Sequence, residues 1–215
     1  MAETHARFDT ALRTLPMIAI LRGIKPIESE AVGIALHAAG FRLIEVPLNS
    51  PGDPCDSIAR MRKALPGDAL IGGGTVLRGD DVARVAGAGG ELIVMPHGDR
   101  SVIVAAKTAG LVCVPGVATP TEAFAALDAG ADALKLFPAE LISPPIVKAM
   151  RAVLPKALHL FAVGGITPDT MGEYVRAGAN GFGLGSALYT PGASADDVGA
   201  RARRFAEAWR AITTT

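Results

Sequence analysis

The sequence predicts one (β/α)8 TIM barrel, a single domain over residues 1–215 with an extra N-terminal helix. Three observations carry this. Short apolar runs rich in β-branched residues recur along the chain, nearly continuous in apolar character, as strands buried on both faces are. Their starts lie about 20 to 26 residues apart, the period of a repeated strand–helix unit. An Ala-Gly pair recurs just before strands, at Ala39-Gly40, Ala88-Gly89, Ala109-Gly110, Ala129-Gly130 and Ala177-Gly178, where glycine can take the left-handed conformation that ends a helix.

In chain order, residues up to Thr14 read as the extra helix, covering the bottom of the barrel. The predicted strands are 17–22, 43–49, 69–76, 91–97, 111–117, 133–138, 159–166 and 181–188. Segments between them read as helices, including 27–39, 54–65, 120–128 and 168–176, with Pro and Asp near several starts, where helices tolerate or prefer them. The last helix, 195–211, carries Trp209 on a mostly charged surface. Eight uninterrupted units argue for closure. A doubly wound open sheet has the same strand count and stays the alternative.

Composition excludes several classes. Half of the 215 residues are hydrophobic, enough to fill a large core. The 21 basic and 21 acidic residues cancel, and no basic run stands out, so neither nucleic acid nor an anionic membrane is an expected partner. Two cysteines, Cys55 and Cys113, do not make a disulfide framework in a chain this long; reduced thiols in the cytoplasm are expected. The start has no apolar signal core, and no apolar run approaches the ~18 residues of a membrane span.

Charges inside predicted strands are the most informative feature. Helices cover the outer face of a parallel barrel, so a mid-strand charge must point into the lumen or be buried at a cost. Glu45, in Leu43-Ile44-Glu45-Val46-Pro47, lies on the second strand, and Lys135, in Leu134-Lys135-Leu136-Phe137-Pro138, on the sixth. Side chains of one barrel layer come from alternate strands, so these two can meet across the lumen. A purely structural ion pair is the plain alternative, though such pairs stabilise weakly compared with apolar packing. A free lysine is only about 0.04% neutral at pH 7; desolvation raises that fraction, and a neutral amine attacks a ketone to form an imine. Glu45 would carry the protons. A nearby carboxylate also favours the charged lysine, so the balance is open at this point.

Anion sites are suggested at three strand ends. Gly164 and Gly165 follow the seventh strand; Gly185 and Ser186 belong to the eighth. Barrels often hold phosphate there, with glycine amides approaching its oxygens and a hydroxyl adding a donor. Tight turns explain the same glycines. Gly72-Gly73-Gly74-Thr75 ends the third strand and could offer amides and a hydroxyl to a carboxylate, with Arg22 adding charge. Pro96 and Pro115-Gly116 shape the mouth or pack. His5, His37, His97 and His159 show no metal-ligand spacing, so no metal or other cofactor is expected; His97, at a strand end, could touch substrate, with a solvent-exposed or locally bonded ring as the plainer reading.

The segments Ile18–Gly23, Glu45–Ser50, Ile71–Val76, Val114–Val117, Leu134–Ala139 and Val163–Ile166, in this order, together resemble the class I aldolases of 2-keto-3-deoxy-6-phosphosugar acids. The resemblance spans nearly the whole chain. It implies a homotrimer of (β/α)8 barrels that cleaves a phosphorylated 2-keto-3-deoxy sugar acid to pyruvate and glyceraldehyde 3-phosphate. It implies Lys135 as the Schiff-base lysine and Glu45 as the acid/base. Arg22 and Thr75 match positions near the pyruvate carboxylate, and Gly164, Gly165, Gly185 and Ser186 match the phosphate site. The gluconate branch typically reads Glu-Val-Thr-Leu-Arg-Thr and Thr-Gly-Gly-Ile where this chain has Glu45-Val46-Pro47-Leu48-Asn49-Ser50 and Val163-Gly164-Gly165-Ile166. Both departures resemble the galactonate branch, whose substrate is the C4 epimer, which brings Val163 into the expected site. A gluconate-type enzyme, a barrel phosphosugar epimerase and a silent phosphosugar binder remain the rival readings.

Overall fold

The computed structural model describes residues 2–214; the two end residues of the expected domain lie outside the described residues. The strands are β1 (Met17–Ile20), β2 (Leu43–Pro47), β3 (Leu70–Gly74), β4 (Leu92–Val94), β5 (Val112–Val114), β6 (Gly116–Val117), β7 (Leu134–Leu136), β8 (Leu160–Val163) and β9 (Gly181–Leu184). The helices are α1 (Ala2–Thr14), α2 (Pro26–Ala38), α3 (Pro54–Ala64), α4 (Gly79–Gly87), α5 (Arg100–Thr108), α6 (Pro120–Asp128), α7 (Pro144–Val153), α8 (Met171–Ala177) and α9 (Ala195–Thr213).

The strands pair in parallel in the order β5-β4-β3-β2-β1-β9-β8-β7-β6. Its two end strands, β5 and β6, are consecutive pieces of one barrel strand, so the sheet closes on itself. The expected fifth strand, 111–117, is therefore corrected to two pieces. Pro115 divides them because it has no N–H to give the ladder. Its carbonyl still accepts from the Lys135 amide at 2.9 Å, which joins the seam to β7. Counted in barrel strands, Glu45 stands on the second and Lys135 on the sixth.

Apart from the fifth, each barrel strand is shorter at its C-terminal end than the apolar run predicts, since the run continues into the mouth loops. The helix expected at 168–176 begins at Met171 instead. A turn closed by the Thr170 amide on the Thr167 carbonyl at 3.1 Å, and by the Thr167 amide on Thr170 Oγ1 at 3.0 Å, precedes it. The Ala-Gly signal has its expected conformation: φ is +102° at Gly40, +79° at Gly89, +76° at Gly110, +99° at Gly130 and +105° at Gly178.

Strand alternation divides the buried apolar residues into two cores. Ile44, Val46, Leu134 and Leu136 face the helices in the outer core. Leu43, Leu70, Leu92, Val112, Ala133 and Phe161 fill the lumen, with Phe8, Ala11 and Leu12 of α1. The N-terminal helix is thus the floor of the barrel, pinned by the Arg7–Glu91 ion pair and by Arg7 donating to the Gly67 carbonyl at 2.7 Å. Trp209 of α9 departs from its expected setting. It is half-buried and meets Phe182 edge-on, with ring centroids 6.2 Å apart. Among the described residues no helix is long and apolar enough to cross a membrane.

Closure leaves little room at β3. A Cβ on Gly72 would lie 1.8 Å from the Leu92 carbonyl oxygen, and one on Gly73 would lie 2.5 Å from Val85 Cγ2. Because Gly72 faces backbone, Gly72→Ala should destabilise the fold by about 3 kcal/mol or more. Gly87→Ala, on α4 with nothing within 4 Å of the added carbon, should stabilise by roughly 0.5 kcal/mol through helix propensity. Thermal unfolding of both variants checks the contrast; a harmless Gly72→Ala would contradict this packing.

Candidate active site

Lys135 lies between two residues that face the helices, so strand alternation turns it into the lumen. It is 6% exposed and Glu45 1% exposed. Burial pushes the Lys135 amine below its ordinary value, the Glu45 carboxylate pulls it back up, and the Arg22 cation lowers it again. Burial likewise raises Glu45, against the opposing pull of Lys135 and then Arg22, to about 7. Desolvation is the largest cause for both, so each group is displaced toward its neutral form.

The two do not complete an ion pair among the described residues. Glu45 Oε2 is buried with no hydrogen-bond partner, and Lys135 Nζ lies 4.5 Å from the centroid of the Phe137 ring. The structural-pair alternative needs a closed, satisfied contact. The arrangement instead leaves an amine and a carboxyl available to a third party.

Room for that carboxyl comes from Gly74, where a Cβ would lie 1.5 Å from Glu45 Oε2. All three glycines of the run are therefore required by packing before any role as amide donors. Thr75, the next residue, has φ +52°. A β-branched side chain in the left-handed region costs roughly 1–3 kcal/mol and is characteristic of functional sites. Its Oγ1 accepts from Arg22 Nη2 at 3.1 Å, while Arg22 Nη1 donates to Asn49 Oδ1 at 2.8 Å.

A cavity of about 690 Å³ opens at the C-terminal ends of the strands. Its lining brings together Arg22, Lys135, Val163, Gly164, Gly165, Gly185 and Ser186. Glu45 and Thr75 are not in the lining; Thr75 is tied to it through its hydrogen bond from Arg22. Gly164 and Gly165 have φ of +122° and +63°, which favours glycine at both positions. After β9 the amides of Leu188 and Tyr189 both bond the Gly185 carbonyl at 2.9 Å, curling Ser186 into the cavity wall. His97 is exposed and not part of this lining, and Gly116 is needed because a Cβ would lie 2.5 Å from the Pro96 carbonyl oxygen.

Three participants escape the sequence reading. Phe137 has a signal in hindsight: it stands two residues after Lys135, on the same face of an extended segment. Glu140 and Tyr189 line the cavity from loops, where no periodicity marks them. Among the described residues no cluster of three His, Cys, Asp or Glu side chains could hold a metal.

Comparison with known proteins places this geometry. The family model for KDPG and KHG aldolases matches residues 8–200. A protein of Rhizobium meliloti (strain 1021) named "Probable 2-dehydro-3-deoxy-6-phosphogalactonate aldolase" is 50% identical over 92% of each chain. The 2-dehydro-3-deoxy-6-phosphogalactonate aldolase of Escherichia coli (strain K12) is 46% identical, over 91% of this chain and 95% of its own. A solved structure described as native KDPGal superposes with a TM-score of 0.91 at 45% identity, covering 94% of this chain and 97% of that one. With its lysine and carboxylate in one barrel lumen beneath a glycine-rimmed cavity, the chain belongs to the KDPG and KHG aldolase family.

Proposed function

We propose that this aldolase cleaves 2-dehydro-3-deoxy-6-phosphogalactonate to pyruvate and D-glyceraldehyde 3-phosphate, with no cofactor. The observation that carries the chemistry is the desolvated, unpaired Lys135 beside the unpartnered carboxyl of Glu45. The neutral amine adds to the C2 carbonyl, and loss of water gives a protonated imine. Glu45 removes the proton of the C4 hydroxyl. The C3–C4 electron pair then flows into the imine, the aldehyde departs and an enamine remains. Protonation at C3 and hydrolysis release pyruvate and return the amine. Arg22, held by Thr75 and Asn49, pairs with the substrate carboxylate. Gly164, Gly165, Gly185 and Ser186 receive the phosphate. The barrel, read as one domain over 1–215, supplies every group named.

The galacto preference rests on the two relatives at 46% and 50% identity and on Val163. The gluco epimer, or dual specificity, is the second reading, favoured by the same apolar wall, which excludes a hydroxyl only weakly. The reading extends to galactonate catabolism in the cytoplasm and to a homotrimer; Phe124, Leu141 and Ile146 are exposed apolar side chains of the kind an interface would cover.

The substrate assignment is tested by pyruvate release from the two C4 epimers. Val163→Thr keeps the shape and adds a hydroxyl. One hydrogen bond is worth about 0.5–1.5 kcal/mol net, so the kcat/KM ratio should move roughly 2- to 13-fold toward the gluco epimer. A fixed ratio, or one moving toward galacto, would show that residue 163 does not read C4.

Glu45→Gln should slow turnover about 10²-fold or more and abolish any kcat/KM limb near pH 7. Stability gives a second readout. The folded state holds the Glu45 proton up to about pH 7, the unfolded chain only to about 4.5. Its contribution is present below about pH 4.5 and is lost as pH rises through about 7. The variant should therefore lose less Tm than the wild type between about pH 5 and pH 8. Near-normal turnover in Glu45→Gln would assign the proton transfers elsewhere.

A further inference from the structure

Three adjacent strand ends converge on one guanidinium. Arg22 leaves β1 two residues after Ile20, Asn49 leaves β2 two residues after Pro47, and Thr75 directly follows β3. The parallel ladder continues past the strands: the Leu21 amide bonds the Glu45 carbonyl at 3.0 Å, and the Leu48 amide bonds the Gly74 carbonyl at 2.8 Å. The three loops therefore depart from fixed points. Thr75 reaches its place only by holding φ at +52°.

Both anchors of Arg22 are neutral. Asn49 Oδ1 and Thr75 Oγ1 each take one N–H, at 2.8 and 3.1 Å. A guanidinium has five N–H donors, so three stay open. Among the described residues Arg22 has no carboxylate partner, whereas Arg7, Arg42, Arg60, Arg78 and Arg84 each pair with one. An exposed arginine side chain otherwise samples many rotamers, and fixing it without a counter-charge is what an anion site requires.

We infer that Asn49 is a positioning residue: it aims Arg22 at the substrate carboxylate through a neutral hydrogen bond that leaves the guanidinium without a carboxylate partner. This rests on the reading of Arg22 as the cation that binds that carboxylate. An aspartate at the same place would hold Arg22 equally well but would occupy its charge. The amide satisfies the geometry and the charge requirement together.

The test compares wild type with Asn49→Ala, Asn49→Asp, Arg22→Gln and the double variant Arg22→Gln/Asn49→Ala. The readouts are KM for the cleaved substrate, kcat, and the inhibition constant of pyruvate as product. Asn49→Ala should raise KM and the pyruvate constant about 2- to 13-fold, with a smaller change in kcat. Asn49→Asp, with the same shape, should raise both further, because the new carboxylate competes with the substrate's. The double variant should match Arg22→Gln within about twofold, since Asn49 acts through Arg22. An Asn49→Asp variant that binds pyruvate as tightly as wild type would overturn the inference, as would single effects that multiply in the double variant. In both cases a weakened Arg22→Gln would leave the reading of Arg22 standing. If Arg22→Gln itself binds pyruvate normally, that reading fails and the inference falls with it.

Discussion

A lysine and a glutamate share the lumen of a closed parallel barrel without completing an ion pair among the described residues, and the rest of the structure serves that situation. Taking either charge out of water costs several kcal/mol, and a closed pair would recover part of it through mutual attraction. Here Glu45 Oε2 stays unpartnered and Lys135 rests against the Phe137 ring. The cost appears as displaced proton affinities: the carboxyl is raised to about 7 and the amine is lowered. A site of this kind exists only if the barrel is closed, since an open sheet would admit water to both groups.

Closure in turn dictates the small residues. Gly72 lies against the β4 backbone, Gly73 against α4, and Gly74 against the Glu45 carboxyl itself. Pro115 interrupts the seam strand, yet its carbonyl bonds the Lys135 amide, so the break lies directly beside Lys135. At the floor, α1 fills the lumen with Phe8, Ala11 and Leu12 and keeps water from entering below. At the mouth, two glycines of positive φ and the one-turn curl at Gly185 leave backbone and a hydroxyl facing the cavity rather than side chains.

Most of this architecture was legible in the sequence, for identifiable reasons. Strands buried on both faces must be apolar, so Glu45 and Lys135 stood out against their runs, and alternation assigned them to the lumen. The Ala-Gly pairs marked helix ends because only a left-handed residue closes those turns well. The split of the fifth strand at Pro115 was missed because its apolar character is unbroken, although proline itself was the warning. Strand ends ran long because mouth loops are lined by the same apolar residues. Trp209 looked like a surface residue because its neighbours in sequence are charged, while its contact, Phe182, is distant in the chain. The glycine run suggested amide donors, and only three-dimensional packing showed what it excludes. The Arg22–Asn49–Thr75 assembly depends on loop geometry and on a strained Thr75, which no periodicity reports.

The central claim is that Lys135 is the amine that becomes covalently bound. The most direct measurement incubates the protein with pyruvate and borohydride, then locates the reduced adduct by peptide mass spectrometry. A single fixed mass on the peptide holding Lys135, absent without pyruvate and absent in Lys135→Ala, is the expected result. An active enzyme with no adduct at Lys135, or with the adduct on another lysine, would contradict it.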